Sequence, residues 1–196
     1  MPKKLPNKKQ TYAFIDATNI IYSASRLGWK VDFKKLAKYL KERYGVKRIL
    51  YYAGVDTKNL KQMRFYEKLQ EFGFELRLIP VKTFSDGKKK ADVDSRMTFE
   101  MMLYLEKYDN LVVFTGDGDY YWVLEYLKNI KNIKLFGCGR SIAKELKQLL
   151  GGNVTDMDSI KKLVSFSQKN EADAFKESAS RYYAKSVTKK EKHVKK

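Results

Sequence analysis

The sequence predicts an α/β fold in which a mostly parallel sheet carries helices on both faces. From Thr11 onward, short apolar runs that suit strands alternate with amphipathic runs of helical spacing, which is typical of repeated βαβ units. The chain has 196 residues and 43% hydrophobic content, so it is long enough for one compact domain of about 150 residues with extensions.

The predicted strands and helices alternate along the chain. The strands are Tyr12–Ile15, Arg48–Ala53, Glu75–Pro80, Leu111–Thr115 and Ile133–Gly137. The helices are Phe33–Tyr44, Leu60–Phe72, Asp94–Tyr108, Tyr120–Ile130 and Ser141–Leu150. Gly45 and Gly73 are expected to end the first two helices, and Ser141 is expected to cap the last one. A final segment, Val154–Val164, is expected to return to the body of the domain.

Three regions of the chain differ in composition. Residues 1–10 form a basic N-terminal arm, residues 11–166 form the predicted domain, and residues 167–196 are predicted to be a marginal basic helix followed by a lysine-rich tail. The N-terminus lacks the pattern of a secretory signal, and no apolar run approaches the roughly 20 residues of a membrane span. We expect a cytoplasmic protein that does not enter a membrane, and the sequence leaves open whether it forms a homo-oligomer.

The composition excludes several kinds of catalyst and favours an anionic partner. With one Cys and one His, the chain supplies neither an internal disulfide nor a zinc finger, and a Ser/His or Cys/His nucleophilic site is not expected. Of the net charge of +18, residues 1–10 carry +4 and residues 167–196 carry +5, which leaves +9 on the domain. Nucleic acid is the favoured partner, although lysines that only solubilise the surface would give the same charge.

Acidic side chains are predicted to gather at the carboxyl edge of the sheet, where α/β folds bind their ligands. The candidates are Asp16 and Asn19 after the first strand, Asp92 and Asp94 after the third, and Asp117 and Asp119 after the fourth. Carboxylates brought together repel one another, and Mg²⁺ or Mn²⁺ prefers oxygen ligands, so a divalent metal site is expected. Such a site can activate water for phosphodiester hydrolysis.

Each acidic segment also has a purely structural explanation. Asp16 could cap a helix or form an Asx-turn, the segment 117–119 could be an ordinary turn, and Asp92 and Asp94 suit a helix N-terminus. Independent caps would not need to lie at the same edge of the sheet. Their shared position therefore favours the functional interpretation.

These segments resemble the motifs of the NYN family, the LabA-like branch of the PIN-like nucleases, over roughly residues 11–165. The D-x-x-N pattern that ends the first strand is Asp16 and Asn19, the K-G-N-V-D-type segment corresponds to residues 90–94, and the S/T-G-D-x-D-F/Y segment corresponds to residues 115–120. Ala91 and Asp92 depart from the usual Gly and Asn. The resemblance implies a PIN-like three-layer α/β/α sandwich and a Mg²⁺- or Mn²⁺-dependent ribonuclease.

The resemblance also implies roles for individual residues. Metal would be held by Asp16, Asp94 and Asp117, with Asp119 beside them as a ligand or water positioner and with Asn19 and Thr115 shaping the site. Asp92 and Glu100 are candidate additional acids. Because six residues place Glu100 about 240° around a helix from Asp94, helix geometry argues against a direct metal contact by Glu100.

Basic and aromatic residues near the same edge are predicted to hold RNA. The candidates for phosphate contacts are Lys88, Lys89, Lys90 and Arg140. Tyr120, Tyr121 and Trp122 offer rings on which unpaired bases could stack, so the expected partner is RNA that is single-stranded or has unpaired regions. Packing into the core is the structural alternative for these aromatic residues, as it is for Trp29.

A metal-dependent endoribonuclease is therefore the function that the sequence predicts. The alternative is a non-catalytic RNA-binding or scaffold module, which would bind RNA in a salt-sensitive way without cutting it. A phosphatase or sugar-transferring enzyme fits less well, because the nucleophilic Asp of a phosphatase should have its partner two residues on, whereas Asp16 is followed by Ala17 and Thr18.

Overall fold

Residues 10–83 and 89–166 are described by the computed structural model, and the side chains of residues 83, 89 and 90 are not. The basic arm predicted for residues 1–10 therefore lies outside the described residues except for Gln10. The helix and tail predicted for residues 167–196 lie outside them as well, as does Lys88.

The described residues form a three-layer α/β/α sandwich around a parallel sheet. Its strands are β1 (Thr11–Asp16), β2 (Val46–Val55), β3 (Phe74–Pro80), β6 (Asn110–Phe114), β7 (Asn132–Gly137) and β8 (Val154–Asp156). Two short strands, β4 (Lys82–Thr83) and β5 (Lys89–Lys90), pair antiparallel in a separate hairpin. The strand order in the main sheet is β3-β2-β1-β6-β7-β8, and every neighbouring pair is parallel. The predicted fold class is confirmed.

The order of the strands places a binding crevice beside β1. From β1 the chain moves outward through β2 to β3, and it then returns to the other side of β1 and moves outward through β6 to β8. Ile15 of β1 is paired with Tyr51 of β2 and with Phe114 of β6, so the carboxyl ends of these strands are level. Ligands of open α/β sheets bind at such a reversal point, outside the carboxyl ends of the strands.

Helices cover both faces of the sheet. They are α1 (Ala17–Arg26), α2 (Phe33–Tyr44), α3 (Leu60–Glu71), α4 (Val93–Leu103), α5 (Tyr121–Leu127), α6 (Lys144–Leu150) and α7 (Lys161–Val164). One hydrophobic core lies under α1, α2, α3 and α7, and the other lies under α4, α5 and α6. Gly45 ends α2 in the left-handed conformation (φ 61°), as the sequence predicts. None of the helices in the described ranges is long and apolar enough to cross a bilayer.

Several elements differ from the sequence prediction, and the largest differences are in the helices. The helix α1 was not predicted, because its buried face is short and includes Ser23 beside Ile20 and Ala24. Ser141 does not cap α6: its hydroxyl donates to the carbonyl oxygen of Cys138 at 2.7 Å, and α6 begins only at Lys144. The helix α4 ends at Leu103 and is followed by a 3-10 turn, Leu105–Lys107. A further 3-10 turn, Gly118–Tyr120, precedes α5, which ends at Leu127.

Candidate metal centre

Three carboxylates from two distant parts of the chain meet at the carboxyl edge of the sheet. Asp94 lies in the first turn of α4, Asp117 follows β6, and Asp119 lies in the 3-10 turn before α5. One oxygen of each carboxylate lies within 4.8 Å of the other two. Asp94 and Asp117 are half-buried and Asp119 is exposed, so the group is open to solvent on one side.

Hydrogen bonds fix this acidic cluster, defined as Asp94, Asp117 and Asp119. The hydroxyl oxygen of the buried Thr115 accepts from the backbone N–H of Asp117 at 3.1 Å. One carboxylate oxygen of Asp117 accepts from the backbone N–H of Asp119 at 3.0 Å, which closes the turn that carries both acids. Thr115 therefore shapes the site through the backbone that it holds.

Tyr120 positions Asp94 from below the cluster. Its ring is fully buried, and its hydroxyl donates to Oδ1 of Asp94 at 2.7 Å. Burial raises the pKa of Tyr120 strongly, and the charges of Asp16, Asp94 and Asp117 raise it further, so the hydroxyl stays protonated as a donor. The prediction that Tyr120 stacks on RNA bases is wrong, because its ring has no exposed face.

Asp16 and Asn19 join the end of β1 to the loop after β6. Oδ1 of the buried Asp16 accepts from the backbone N–H groups of Thr18 and Asn19, and Oδ2 accepts from the side-chain amide of Asn19 at 2.7 Å. The amide oxygen of Asn19 accepts in turn from the backbone N–H of Gly116 at 3.1 Å. Asp16 thus caps α1 and, through Asn19, fixes the loop that carries Asp117.

The electrostatics of Asp16 follow from its burial. Burial raises the pKa of Asp16, the hydrogen bonds from Asn19 oppose that rise, and the nearby charge of Asp94 adds to it. A carboxylate offers about four lone-pair positions. Three are used here, so Oδ2 keeps one for a further partner.

Gly116 allows the loop after β6 to approach the chain that follows β7. A Cβ at this position would lie 2.7 Å from the carbonyl oxygen of Ser141, closer than any side chain tolerates. The carbonyl oxygen of Gly116 also accepts from the backbone N–H of Ala143 at 2.9 Å. The glycine of the motif therefore serves close backbone packing beside the cluster.

Comparison with known proteins agrees with this arrangement. A family model, the NYN domain, matches residues 10–158. The chain belongs to the NYN domain family. It is 25% identical over 166 residues to the low amplitude and bright protein LabA of Synechococcus elongatus, covering 81% of this chain and 89% of that protein. A crystal structure of a protein of unknown function from Vibrio parahaemolyticus superimposes with a TM-score of 0.69 at 21% identity, covering 82% of this chain and 99% of that one.

Glu100 lies away from the acidic cluster of this NYN domain. It is buried, and its oxygens accept from Tyr52 at 2.9 Å, from Nε of Arg77 at 2.7 Å and from Nε of Arg96 at 2.7 Å. Although burial acts to raise the pKa of Glu100, these three hydrogen bonds outweigh it and lower the pKa. The idea that Glu100 is an additional acid of the site is wrong, because two arginines already neutralise it.

Asp92 is also outside the cluster. It is exposed and caps α4, accepting from the backbone N–H of Ser95 at 3.3 Å. The structural explanation for Asp92 is therefore sufficient, whereas its neighbour Asp94 points to the other acids. The two aspartates differ by only two positions, and helix geometry separates their roles.

The residues predicted to bind RNA differ in their position and exposure. Arg140 is exposed and lines a groove of about 750 Å³ that also includes Asp117. The hydroxyl of Tyr121 donates to Glu125 at 2.8 Å, and the ring of Trp122, which packs edge-on against that of Tyr121, is 76% exposed. Trp29 is buried and donates to Asp158 at 3.1 Å. Lys88 and the side chains of Lys89 and Lys90 lie outside what the structure describes.

Sequence reasoning missed three basic residues in the same groove: Arg26 at the end of α1, and Lys144 and Lys147 on α6. The available signal was weak. Lys144 and Lys147 follow the carboxyl end of β7, as Arg140 does, but Arg26 reaches the groove only because α1 and the segment after β7 border the same carboxyl edge of the sheet.

The residues of the acidic cluster fit a hard divalent cation. Their donors are three carboxylates, the ligands that Mg²⁺ and Mn²⁺ prefer, and one oxygen of each already lies within 4.8 Å of the others. Neither His nor Cys is needed for such a site. The donor set therefore agrees with the divalent metal that NYN nucleases generally use.

Proposed function

We propose that this NYN domain is a Mg²⁺- or Mn²⁺-dependent endoribonuclease. The observation that supports the proposal is the convergence of Asp94, Asp117 and Asp119 at the reversal point of the sheet, from segments that are distant in the sequence. Capping alone accounts for Asp92, yet Asp94 has its carboxylate turned to two other acids. Gathering like charges costs free energy, and a bound cation offsets that cost.

Each residue has a role in the proposed reaction. Asp94, Asp117 and Asp119 would hold the metal, and the remaining lone pair of Asp16 makes it a fourth candidate ligand. When bound, a divalent ion supplies an activated water and stabilises the leaving oxygen of a phosphodiester. Tyr120 keeps Asp94 in place by donating its proton, and Thr115 and Asn19 hold the loop that carries Asp117.

The proposed substrate is RNA with unpaired regions, and the proposed location is the cytoplasm. The +9 charge of residues 11–166 attracts a polyanion, while the acids that oppose this charge are concentrated at one edge of the sheet. Of the three aromatic residues proposed for stacking, Trp122 and Tyr121 stay candidates, and Lys88–Lys90 stay proposed phosphate contacts. A flexible single strand can bring its bases to an exposed ring, whereas a paired helix hides them.

The proposal is tested by RNA cleavage with a matched pair of variants. Single-stranded and hairpin RNA are incubated with wild type, Asp94→Asn and Asp92→Asn in Mg²⁺, Mn²⁺ or EDTA. Wild type and Asp92→Asn should cut with metal and stop in EDTA, because Asn caps a helix as well as Asp does. Asp94→Asn should lose activity, since it keeps the acceptor for Tyr120 but removes the charge that binds the cation.

The outcomes separate the enzyme from its alternative. Equal cleavage by Asp94→Asn and wild type would remove the acidic cluster from the mechanism. Salt-sensitive binding of RNA by wild type without any metal-dependent product would instead identify a non-catalytic binding module.

A further inference from the structure

A basic groove lies beside the acidic cluster. It lies between α1 and α6 and has a volume of about 750 Å³. Four exposed cations line it, namely Arg26, Arg140, Lys144 and Lys147. Asp117, a member of the acidic cluster, is the one acidic residue in its lining, so the groove begins where the cluster ends.

Within residues 10–83 and 89–166, no ion pair joins any of these four cations to a carboxylate. In the described part of the chain, the ion pairs involve other residues, such as Arg48 with Glu75 and Arg77 with Glu100. Arg26 and Lys147 lie in the last turns of their helices, where a cation interacts favourably with the helix dipole. That effect explains each one singly, but it does not require four cations from three segments to line one concave surface. Such an arrangement attracts an anion with several charges.

We infer that this groove binds the phosphate backbone of single-stranded RNA on one side of the scissile bond, with Arg26, Lys144 and Lys147 as phosphate contacts. The inference rests on the proposed function and adds the path of the substrate to it. A cleft of about 750 Å³ has the size of a small-ligand pocket, which suits a few nucleotides of a single strand and not the broad face of a duplex.

A second pocket, on the other side of α1, lacks the charge that RNA backbone binding requires. It shares Thr18 and Tyr22 with the groove, but the rest of its lining is neutral and includes Tyr51, Phe65 and Tyr66. A polyphosphate chain gains no charge contact there. Of the two clefts that flank the first turns of α1, only the basic groove complements the backbone.

The experiment measures the salt dependence of RNA binding in EDTA, so that cleavage does not interfere. A fluorescent single-stranded oligonucleotide is titrated with wild type and with the triple variant Arg26→Gln, Lys144→Gln, Lys147→Gln. The control is Arg43→Gln, Lys47→Gln, Lys107→Gln, which removes the same charges from exposed residues at the amino-terminal edge of the sheet, opposite the site. Circular dichroism confirms that both variants are folded.

We expect the groove variant to show a weaker dependence of RNA binding on salt concentration than wild type. For a single strand, the logarithm of the binding constant falls with the logarithm of salt concentration by about 0.7 per phosphate contact, so three lost contacts reduce the slope by about 2. Between about 50 and 200 mM salt, wild-type affinity should therefore fall about 20-fold more than that of the groove variant. The control should keep a slope close to that of wild type. With a hairpin stem in place of the single strand, the slopes of wild type and groove variant should differ less.

Other results would overturn either the groove inference or the proposed function without affecting the other. Equal slopes for the groove variant and its control would show that only net charge matters. In a parallel titration with a fluorescent mononucleotide, loss of mononucleotide binding by the groove variant with unchanged oligonucleotide binding would make the groove a nucleotide pocket instead. If the groove variant shows the reduced slope but the wild type never cuts RNA, the ribonuclease proposal is refuted and the groove inference is supported. If the wild type cuts RNA but the slopes of wild type and groove variant are equal, the groove inference is refuted and the ribonuclease proposal is supported.

Discussion

Removing one acid from the cluster should stabilise the metal-free protein and destabilise the metal-bound one. Asp94→Asn keeps an oxygen that accepts from Tyr120 and removes one of three charges that lie within 4.8 Å of one another. Two unit charges at this separation repel by about 1 kcal/mol in water, and salt reduces that value. We therefore expect Asp94→Asn to gain about 1 kcal/mol in EDTA.

A bound metal should make wild type more stable than Asp94→Asn. A cation at 100 times its dissociation constant stabilises the folded protein by about 2.7 kcal/mol, provided that it does not bind the unfolded chain. The variant should lose most of this gain because it loses a ligand. Since 1 kcal/mol shifts Tm by about 2–4 °C for a chain of this size, Asp94→Asn should melt about 3 °C above wild type in EDTA and below it in saturating Mn²⁺.

The assay is thermal unfolding followed by circular dichroism, in EDTA and in a Mn²⁺ series. Asp92→Asn is the control, because Asp92 is exposed, caps α4 and lies outside the cluster. It should follow wild type in both conditions. An Asp94→Asn variant that is less stable than wild type in EDTA, or that gains as much from Mn²⁺, would refute the idea that these acids form one metal centre.

Two further predictions concern buried polar groups. Among the described residues, Tyr51 carries a buried hydroxyl without a hydrogen-bond partner, whereas the hydroxyl of Tyr52 donates to Glu100 at 2.9 Å. In urea unfolding, Tyr51→Phe should therefore be more stable than wild type by about 1 kcal/mol, and Tyr52→Phe should be less stable by about 2 kcal/mol. Effects of the same sign would contradict this. The lowered pKa of Glu100 means that its charge stabilises the fold above about pH 4.5 and that this contribution is lost as pH falls through the folded pKa. Glu100→Gln should cost about 3 kcal/mol at neutral pH, and the difference from wild type should shrink in acid; a constant difference would place the ionisation elsewhere.

The sheet and the acidic cluster could be predicted because both depend on local patterns. Apolar runs identified five strands, and acids that follow parallel strands come to the same edge wherever those strands are adjacent. Asp117 follows β6, which neighbours β1, and needed no more information than that. Asp94 follows the edge strand β3, and only the family resemblance separated it from Asp92. The sequence did not reveal β8, because its three residues, Val154–Asp156, are too few for a period to show.

Other features could not be predicted because they depend on partners that are distant in the sequence. Glu100 matches a family position for an acid, but Tyr52 of β2 and Arg77 of β3 reach it only in the folded chain. Tyr120 and Trp122 are two positions apart in one aromatic run, and the start of α5 turns one ring into the core and the other into solvent. The basic groove likewise exists only because α1 and the segment after β7 meet at the carboxyl edge of the sheet.

The position of Asp16 changes how a loss of activity should be interpreted. Asp16 heads the family motif, yet three of its hydrogen bonds go to Thr18 and Asn19, and Asn19 holds the backbone of Gly116. Asp16→Asn would weaken this chain of contacts and shift Asp117, even if Asp16 never touched a metal. Inactivation of that variant would therefore not identify a ligand. Asp94 and Asp119 are the better probes, because Asp94→Asn keeps an acceptor for Tyr120 and no hydrogen bond within the described residues uses the carboxylate of Asp119.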